Sequence, residues 1–556
     1  MPRTARPLDR LAAPVAPRLG RAAGLSVLAA LVWPFQAALI ALALGGLVAP
    51  QGARLAPLTA ALGFLALAAL RAGLEALAQR RAEEAALDLV ETTRAGLLRA
   101  AARQQPGAEA LSPASLAALA GEKAALLAPW AARFRPAMAR ARWVPALYLA
   151  LALSQSWVVA LIFAIAGPLI PLFMALVGMA AEDAARRQMG EIGSLSSLAV
   201  DRIAAITDLR LLGATARART DLAQAAETLR TRTMAVLRVA FLSSTVLELF
   251  AALGVALVAV YVGFALLGEI RFGAWGGPLS APAGIFLLLI APEFFQPLRD
   301  LASAWHDRAA AIAVADELSG AQTALAAARP ILGQGAPAAA FAPAPLAWTG
   351  LRAAPAPGAA ALSFPDGAVA PGEAVALTGP SGAGKSTLLA VLAGLIEAQA
   401  GTVRWGATPL TDASADGLRA GLAFVPQAPR FPDAPLGAAI ALGRPGDLAA
   451  ALAAAQASEI VAALPGGLAA RLGELGGGVS GGEARRFALA RAHLAQPALV
   501  LADEPTADLD PETARAVTES LLALRARGAG LLIATHDPAL IARLDREIAL
   551  TPEGRP

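Results

Sequence analysis

Between residues 22 and 310 the chain carries six apolar stretches, at about 24–48, 56–78, 137–156, 158–179, 240–267 and 280–300. Stretches of this kind leave a polypeptide few choices. About 20 apolar residues match the ~30 Å hydrocarbon core of a bilayer. No water is available there, so backbone N–H and C=O groups must pair within their own segment as a helix. Mean hydropathy of +0.58 with 57% hydrophobic residues excludes a soluble protein of 556 residues. Beyond about residue 345 the pattern changes to short apolar strands separated by polar turns. The spacing predicts a membrane all-α six-helix region over 1–328, a Pro/Ala-rich linker over 329–345 and an α/β domain over 346–556.

Charge orients the spans. The N-terminus carries Arg3, Arg6, Arg10, Arg18 and Arg21. The segments after the second and fourth spans hold Arg80, Arg81, Arg94, Arg99, Arg103, Arg186, Arg187, Arg202, Arg210, Arg217 and Arg219. The opposite loops hold little more than Arg54 and Arg271. The positive-inside rule puts both termini and the C-terminal domain in the cytoplasm. A net charge of +4 with pI ≈ 10.2 does not indicate nucleic acid, because the arginines flank apolar spans. The first apolar run is too long for a secretory signal, and a second follows without a clear small-residue cleavage site. With no cysteine the chain has neither disulfide nor thiolate metal site, so any thiol chemistry must belong to a substrate. The two arginine-rich segments read as helix, with apolar residues at Leu87, Val90, Leu97 and Leu98, and at Leu195, Leu198, Ile203 and Ile206. Turns at Gln105-Pro106-Gly107 and around Ile206–Gly213 interrupt them and offer short transverse helices to the C-terminal domain.

The C-terminal domain declares its chemistry at Gly379-Pro380-Ser381-Gly382-Ala383-Gly384-Lys385-Ser386-Thr387, after the apolar strand Ala374–Thr378 and before a helical run. Glycines there turn backbone N–H groups inward around phosphate oxygens, Lys385 reaches the β/γ-phosphates, and Ser386 can ligate Mg²⁺. Only two lysines occur in the chain, Lys123 and Lys385, so an ammonium was kept where a point charge must meet phosphate. The strand Ala498–Leu501 leads into Asp503, suited to Mg²⁺, and Glu504, placed to polarise an attacking water. Ser480-Gly481-Gly482 opens an arginine-rich helix and forms an anion site at its N-terminus. Gln427, after the strand Leu422–Val425, can sense γ-phosphate or metal; His536, after Leu531–Ala534, can hydrogen-bond the γ-phosphate. His306 and His493 lack such company and read as structural or surface residues.

Together these segments resemble the ATP-binding cassette superfamily: Walker A (Gly379–Thr387), Q-loop (Gln427), signature (Val479–Glu483), Walker B (Leu499–Asp503 with Glu504), D-loop (Ala507–Asp510) and H-switch (His536). Six spans with long intracellular extensions resemble its exporter type. The resemblance implies ATP and Mg²⁺ as cofactors, Asp510 among the nucleotide-facing residues, and two cassettes sandwiching ATP, so that one chain supplies half of each site. Two departures stand out. The aromatic residue that stacks on adenine would fall near Ala354, leaving Trp348 or Phe364 to substitute, and the signature has Val479 and Glu483 where leucine and glutamine are usual. A narrower resemblance lies in Gly167–Met179 and Thr233–Phe250, in frame with Trp157, Arg232, Tyr261, Gly263 and Leu267. These strings look like the CydD family of half-transporters. That resemblance implies a CydC-like heterodimer partner in a bacterial inner membrane, export of cysteine and glutathione to the periplasm, and support of cytochrome bd assembly. Haem is the alternative cargo; a homodimeric lipid or drug exporter is a more distant alternative.

Arg71, Arg238, Glu248, Glu293 and Arg299 fall within or at the ends of the spans, where an ionisable group faces a cavity or a partner. The first four are the residues expected to line a substrate cavity. The alternatives are that Arg71 and Arg238 snorkel at helix ends and that Glu248 and Glu293 join helices. Haem would need an axial ligand; the spans hold no histidine, leaving Met174, Met179 and Tyr148.

Overall fold

The computed structural model describes residues 7–48, 55–106, 110–170, 172–173, 198–199, 201–328, 330–336, 338–356, 358–472 and 478–551. Arg3, Arg6, Arg54, Gly107, Met174, Met179, Arg186, Arg187, Leu195 and the end of the fourth apolar stretch lie outside these. The chain divides into two units: Met1–Ala101 with Leu111–Leu325, and Ala102–Ala110 with Ala326–Pro556.

The first unit is helical. Its main helices are α1 (Ala16–Ala30), α2 (Trp33–Val48), α3 (Pro57–Ala102), α4 (Arg135–Gln155), α5 (Trp157–Ile170), α6 (Thr215–Leu266) and α7 (Ala281–Ala327). The described parts of the six apolar stretches fall on these helices except for a few residues at their ends and at the Leu31–Val32 turn. α3, α6 and α7 run for 46, 52 and 47 residues. At 1.5 Å per residue each is about 70 Å or longer, more than twice a bilayer core. The apolar part spans and the polar remainder continues as the same helix. The short helix Ile206–Leu211 occupies the turn expected near residue 206.

Packing in this unit rests on rings set against small residues. Phe163 stacks on Phe294 at 4.1 Å between centroids, and Phe295 meets both edge-on. Gly167 and Gly254 lie directly against Phe294 and Phe295, where a Cβ would collide with the ring. The buried face of α3 runs through Ala78, Ala82, Ala85, Ala86, Leu89, Val90, Thr93 and Leu97. Of the four apolar residues whose spacing marked this segment as helix, Val90 and Leu97 are buried, whereas Leu87 and Leu98 are 66% and 49% exposed. The helix packs largely through alanines, whose small side chains permit the close approach, with Leu89 and Leu97 buried beside them and Leu87 and Leu98 turned outward.

The second unit contains two sheets. Strands β4 (Ala374–Thr378), β7 (Leu422–Val425), β8 (Leu499–Asp503), β9 (Gly530–Ala534) and β10 (Arg546–Ala549) form a parallel sheet in the order β10-β4-β9-β8-β7. β4, β8 and β9 are buried along their whole length, which explains their near-continuous apolar sequence. An antiparallel sheet joins β1 (Leu346–Ala353), β2 (Leu362–Ser363), β3 (Gly367–Val369), β5 (Ala400–Trp405) and β6 (Thr408–Pro409).

The Pro/Ala-rich stretch expected as a linker is strapped down. Asp416 accepts the backbone N–H groups of Gln334, Gly335 and Ala336 at 2.8, 3.1 and 3.3 Å, and Asp412 accepts that of Gly333 at 2.9 Å. Arg419 pairs with Asp416 at 2.7 Å and donates to the Leu332 carbonyl at 2.6 Å. Burial works against the Asp416 carboxylate, but the bonds from Gln334, Arg419, Gly335 and Ala336 outweigh it and hold its pKa below the usual value. The turn after α3 joins the same strap: Arg103 donates to Gln334 at 3.0 Å and Gly333 at 3.1 Å, and Gln105 to Pro330 at 3.2 Å. Asp416→Ala removes an ionised acceptor shared by three N–H groups, and should lower cassette stability by about 1–3 kcal/mol. Hydrogen exchange should accelerate at 334–336; unchanged protection there would contradict the strap.

Candidate active site

The P-loop sits where β4 passes into α8 (Lys385–Leu392). Its turn requires glycine: Gly379, Gly382 and Gly384 have φ of 142°, 81° and 95°, and a Cβ on Gly379 would strike the Leu550 carbonyl. Lys385 Nζ donates to the carbonyls of Gly379 at 2.9 Å and Pro380 at 3.4 Å, and lies 3.6 Å from Glu504. These are weak acceptors beside phosphate oxygens, so the ammonium is held at the loop and available to an anion.

β8 delivers Asp503 and Glu504 to the same place. Asp503 is buried, its Oδ1 has no hydrogen-bond partner, and the Ser386 hydroxyl bonds to its carboxylate. Burial raises its pKa, opposed by the Ser386 bond, reinforced by neighbouring Glu504 and opposed by Lys385. A buried carboxylate oxygen without a partner, beside a hydroxyl at a phosphate loop, is a donor set that fits Mg²⁺. Glu504 adopts φ of 46°, an uncommon left-handed conformation for a glutamate. Its N–H is fixed to the Ala534 carbonyl at 2.9 Å, and its carboxylate reaches His536 Nδ1 at 2.7 Å and Lys385. β9 places His536 for that contact. The structure therefore brings Lys385, Ser386, Asp503, Glu504 and His536 together, and a cavity of about 650 Å³ opens beside Glu504 and His536.

The remaining motif residues form a second group. Ser480 caps α9 (Gly481–Ala495) in a reciprocal box with Glu483, with bonds of 2.6 and 3.3 Å. Gly482 lies against Thr513 and Leu509, at a separation no side chain would fit. Asp510 caps α10 (Pro511–Ala526), accepting from Glu512 and Thr513 at 3.1 and 3.0 Å. Gln427 follows β7, but its side chain is exposed and bonds to none of the P-loop residues among those described.

Neither proposed substitute for the adenine-stacking ring is free. Alternation along β1 turns Trp348 into the core, 1% exposed, with Nε1 donating to Pro365 O at 2.9 Å. Phe364 is buried against Gly384. His493 is structural, as its isolation implied: it bonds Ser520 at 3.0 Å, and burial, with the Arg527 charge, pushes its pKa down to about 4. In the membrane unit Arg71 and Glu293 pair at 3.7 Å, with Arg71 also over the Trp33 ring. Arg238 and Glu248 are exposed on α6 and do not join that pair.

Comparison with known proteins agrees with this geometry. Residues 365–507 match the ABC transporter family and 23–276 the ABC transporter transmembrane region. The chain is 40% identical over 411 residues to the glutathione/L-cysteine transport system ATP-binding/permease protein CydD of Escherichia coli, covering 73% of this chain and 69% of that one. This chain belongs to the ABC transporter family, on its CydD/CydC branch. It is 33% identical over 408 residues to the corresponding CydC protein of Bacillus subtilis, covering 70% and 67% of the two chains. A solved bacterial Atm1-family ABC exporter with ATP bound shares the fold, with a TM-score of 0.72 at 20% identity over 98% of this chain and 94% of that one. The chain is therefore a multi-pass membrane protein carrying an ATP-binding, ATP-hydrolysing cassette.

Arg485 escaped the sequence reading, which saw only an arginine-rich helix. It is buried on α9 and donates to the Gln427 carbonyl through Nε and Nη2, both at 3.2 Å, and to the Ala507 carbonyl through Nη1. One planar guanidinium thus ties signature helix, Q-loop and D-loop, a task for a fork of donors. Such a residue positions the site. Arg485→Met should lower ATPase kcat about tenfold or more with KM for ATP little changed, and Arg485→Lys should recover part of the loss. A fall in melting temperature with kcat and KM both intact would assign Arg485 to stability alone.

Proposed function

We propose that this chain is one half of an ATP-driven exporter that moves L-cysteine and glutathione across a bacterial inner membrane. It would pair with a CydC-like half-transporter, keep both termini in the cytoplasm and support cytochrome bd assembly. The 411-residue match to the E. coli relative carries this reading. A cassette of about 210 residues fills barely half of that length, so the likeness extends through the membrane unit, which must contact cargo. Glutathione and cysteine appear in that relative's name; haem is the competing cargo. Tyr148 weakens the haem case, because it is fully buried and its hydroxyl is committed to the Ala30 carbonyl at 3.3 Å.

In the ATPase cycle, backbone N–H groups of Gly379–Thr387 and Lys385 hold the phosphates. Ser386 and Asp503 would hold Mg²⁺, which supplies charge neutralisation at the β- and γ-oxygens. Glu504 orients the attacking water; His536, already on its other oxygen, keeps that carboxylate aimed. Ser480, Gly481 and Gly482 face the partner's nucleotide, and the open cavity beside Glu504 supports a second cassette closing there. Glu504→Gln keeps the shape and loses the charge, so turnover at that site should fall on the order of 10²-fold while ATP binding persists. Near-wild-type hydrolysis in the assembled pair would assign the chemistry to the other composite site.

Everted vesicles test the whole reading. With a CydC-like partner co-expressed, ATP-dependent uptake of labelled cysteine and glutathione is expected, and the chain alone should show weak ATPase. Uptake of haem without thiols would replace the cargo; a stable, substrate-stimulated homodimer would replace the heterodimer.

A further inference from the structure

Within the membrane unit, α1, α3, α4 and α7 border an open cavity of about 310 Å³ lined by none of the four residues expected from the sequence. Its size lies at the small end of ligand sites. Ser26, Ala78, Ala137 and Ala304 make a buried floor. Ser26 is 5% exposed and its hydroxyl has no hydrogen-bond partner, which is costly unless something arrives to meet it. Arg140 is held by Glu75 at 3.2 Å and Asp300 at 3.4 Å, and its Nε is also buried and unpartnered. Glu83 and Arg133 complete the charged lining. Arg133 belongs to a π-helical turn, Trp130–Phe134, leading into α4, a distortion common at functional sites.

The charges do not balance. Three carboxylates (Glu75, Glu83 and Asp300) face two guanidiniums, and one of these, Arg133, also lies 3.6 Å from Asp307. Glu83 takes a hydrogen bond from Gln79 at 3.0 Å and has no cation at ion-pair distance among the described residues. Glu83 is exposed and left to solvent, so an occupant that brings a cation finds there a carboxylate free to pair, and its anion can use the exposed Arg133 fork. We propose that this cavity binds the α-ammonium and α-carboxylate of an amino acid. The inference rests on the thiol-export reading and deepens it. Cysteine is itself such a zwitterion, and glutathione carries the same group at its γ-glutamyl end. A site that reads this group and leaves the thiol unread takes both cargoes with one set of contacts. Haem has carboxylates but no ammonium and fits poorly against three carboxylates.

The full chain with its partner, in nanodiscs of phosphatidylglycerol, is titrated calorimetrically with four probes. L-cysteine and glutathione should bind; N-acetylcysteine, lacking the ammonium, and cysteamine, lacking the carboxylate, should bind about tenfold weaker or worse. Glu83→Gln should weaken cysteine and glutathione about tenfold or more without altering N-acetylcysteine. Glu83→Asp should retain binding and reports on folding, and Ser26→Ala should show a smaller loss. Equal binding of cysteine and N-acetylcysteine, or a Glu83→Gln protein that binds like wild type, overturns the inference. A phosphatidylethanolamine headgroup carries similar charges. If that lipid co-purifies with wild type, is lost in Glu83→Gln and is not displaced by cysteine, the occupant is lipid and the inference also falls. Vesicles in which Glu83→Gln exports thiols with unchanged KM sink this site and leave the export reading standing. Wild-type vesicles that move no thiol sink the export reading, while the titration still judges the cavity.

Discussion

Hydrocarbon offers no partner to a backbone N–H or C=O, and most of the first 327 residues are organised by that fact. It makes each apolar stretch a helix and lets helices as long as Thr215–Leu266 carry order far beyond the bilayer. It also explains why Arg71 is paired. Arg71 has Glu293 and the face of Trp33, and the uncompensated alternative would cost several kcal/mol.

In the cassette the organising constraint is the parallel sheet. Its strand ends deliver Lys385, Glu504 and His536 from β4, β8 and β9 to one edge, though the first and last of them are 151 residues apart in the chain. Positive φ at Glu504 and Asp508 bends the chain sharply after β8. That conformation is unfavourable for residues with a side chain, and the bond from the Glu504 N–H to Ala534 helps to hold it. The same unit uses carboxylates as fasteners: Asp416 and Asp412 turn a low-complexity strap into an ordered segment beside the strand that leads to Gln427.

Much of this was legible locally. The P-loop, the Asp503-Glu504 pair and the Ser480 cap depend on residues close in sequence, so their types and spacing carry the information. The helix α3 was legible from its apolar spacing but its buried stripe only in part: Val90 and Leu97 are buried, Leu87 and Leu98 are exposed, and alanines supply much of the contact surface. The ring near Ala354 was not. Trp348 and Phe364 look available as letters, but strand alternation and the packing over Gly384 had already used them.

The sequence by itself determined the membrane spans, the nucleotide chemistry and the family, because each rests on composition or short-range spacing. Only the tertiary structure decided which charges meet. Arg71 found Glu293 while Arg238 and Glu248 stayed apart on α6, and Arg140 gathered Glu75 and Asp300 from two other helices. It also decided that Arg485 would hold both Gln427 and Ala507. The physical reason is range. Helix and loop preferences act over a few residues, whereas a buried charge is satisfied by whichever partner the packing brings within a few ångströms, however distant in the chain.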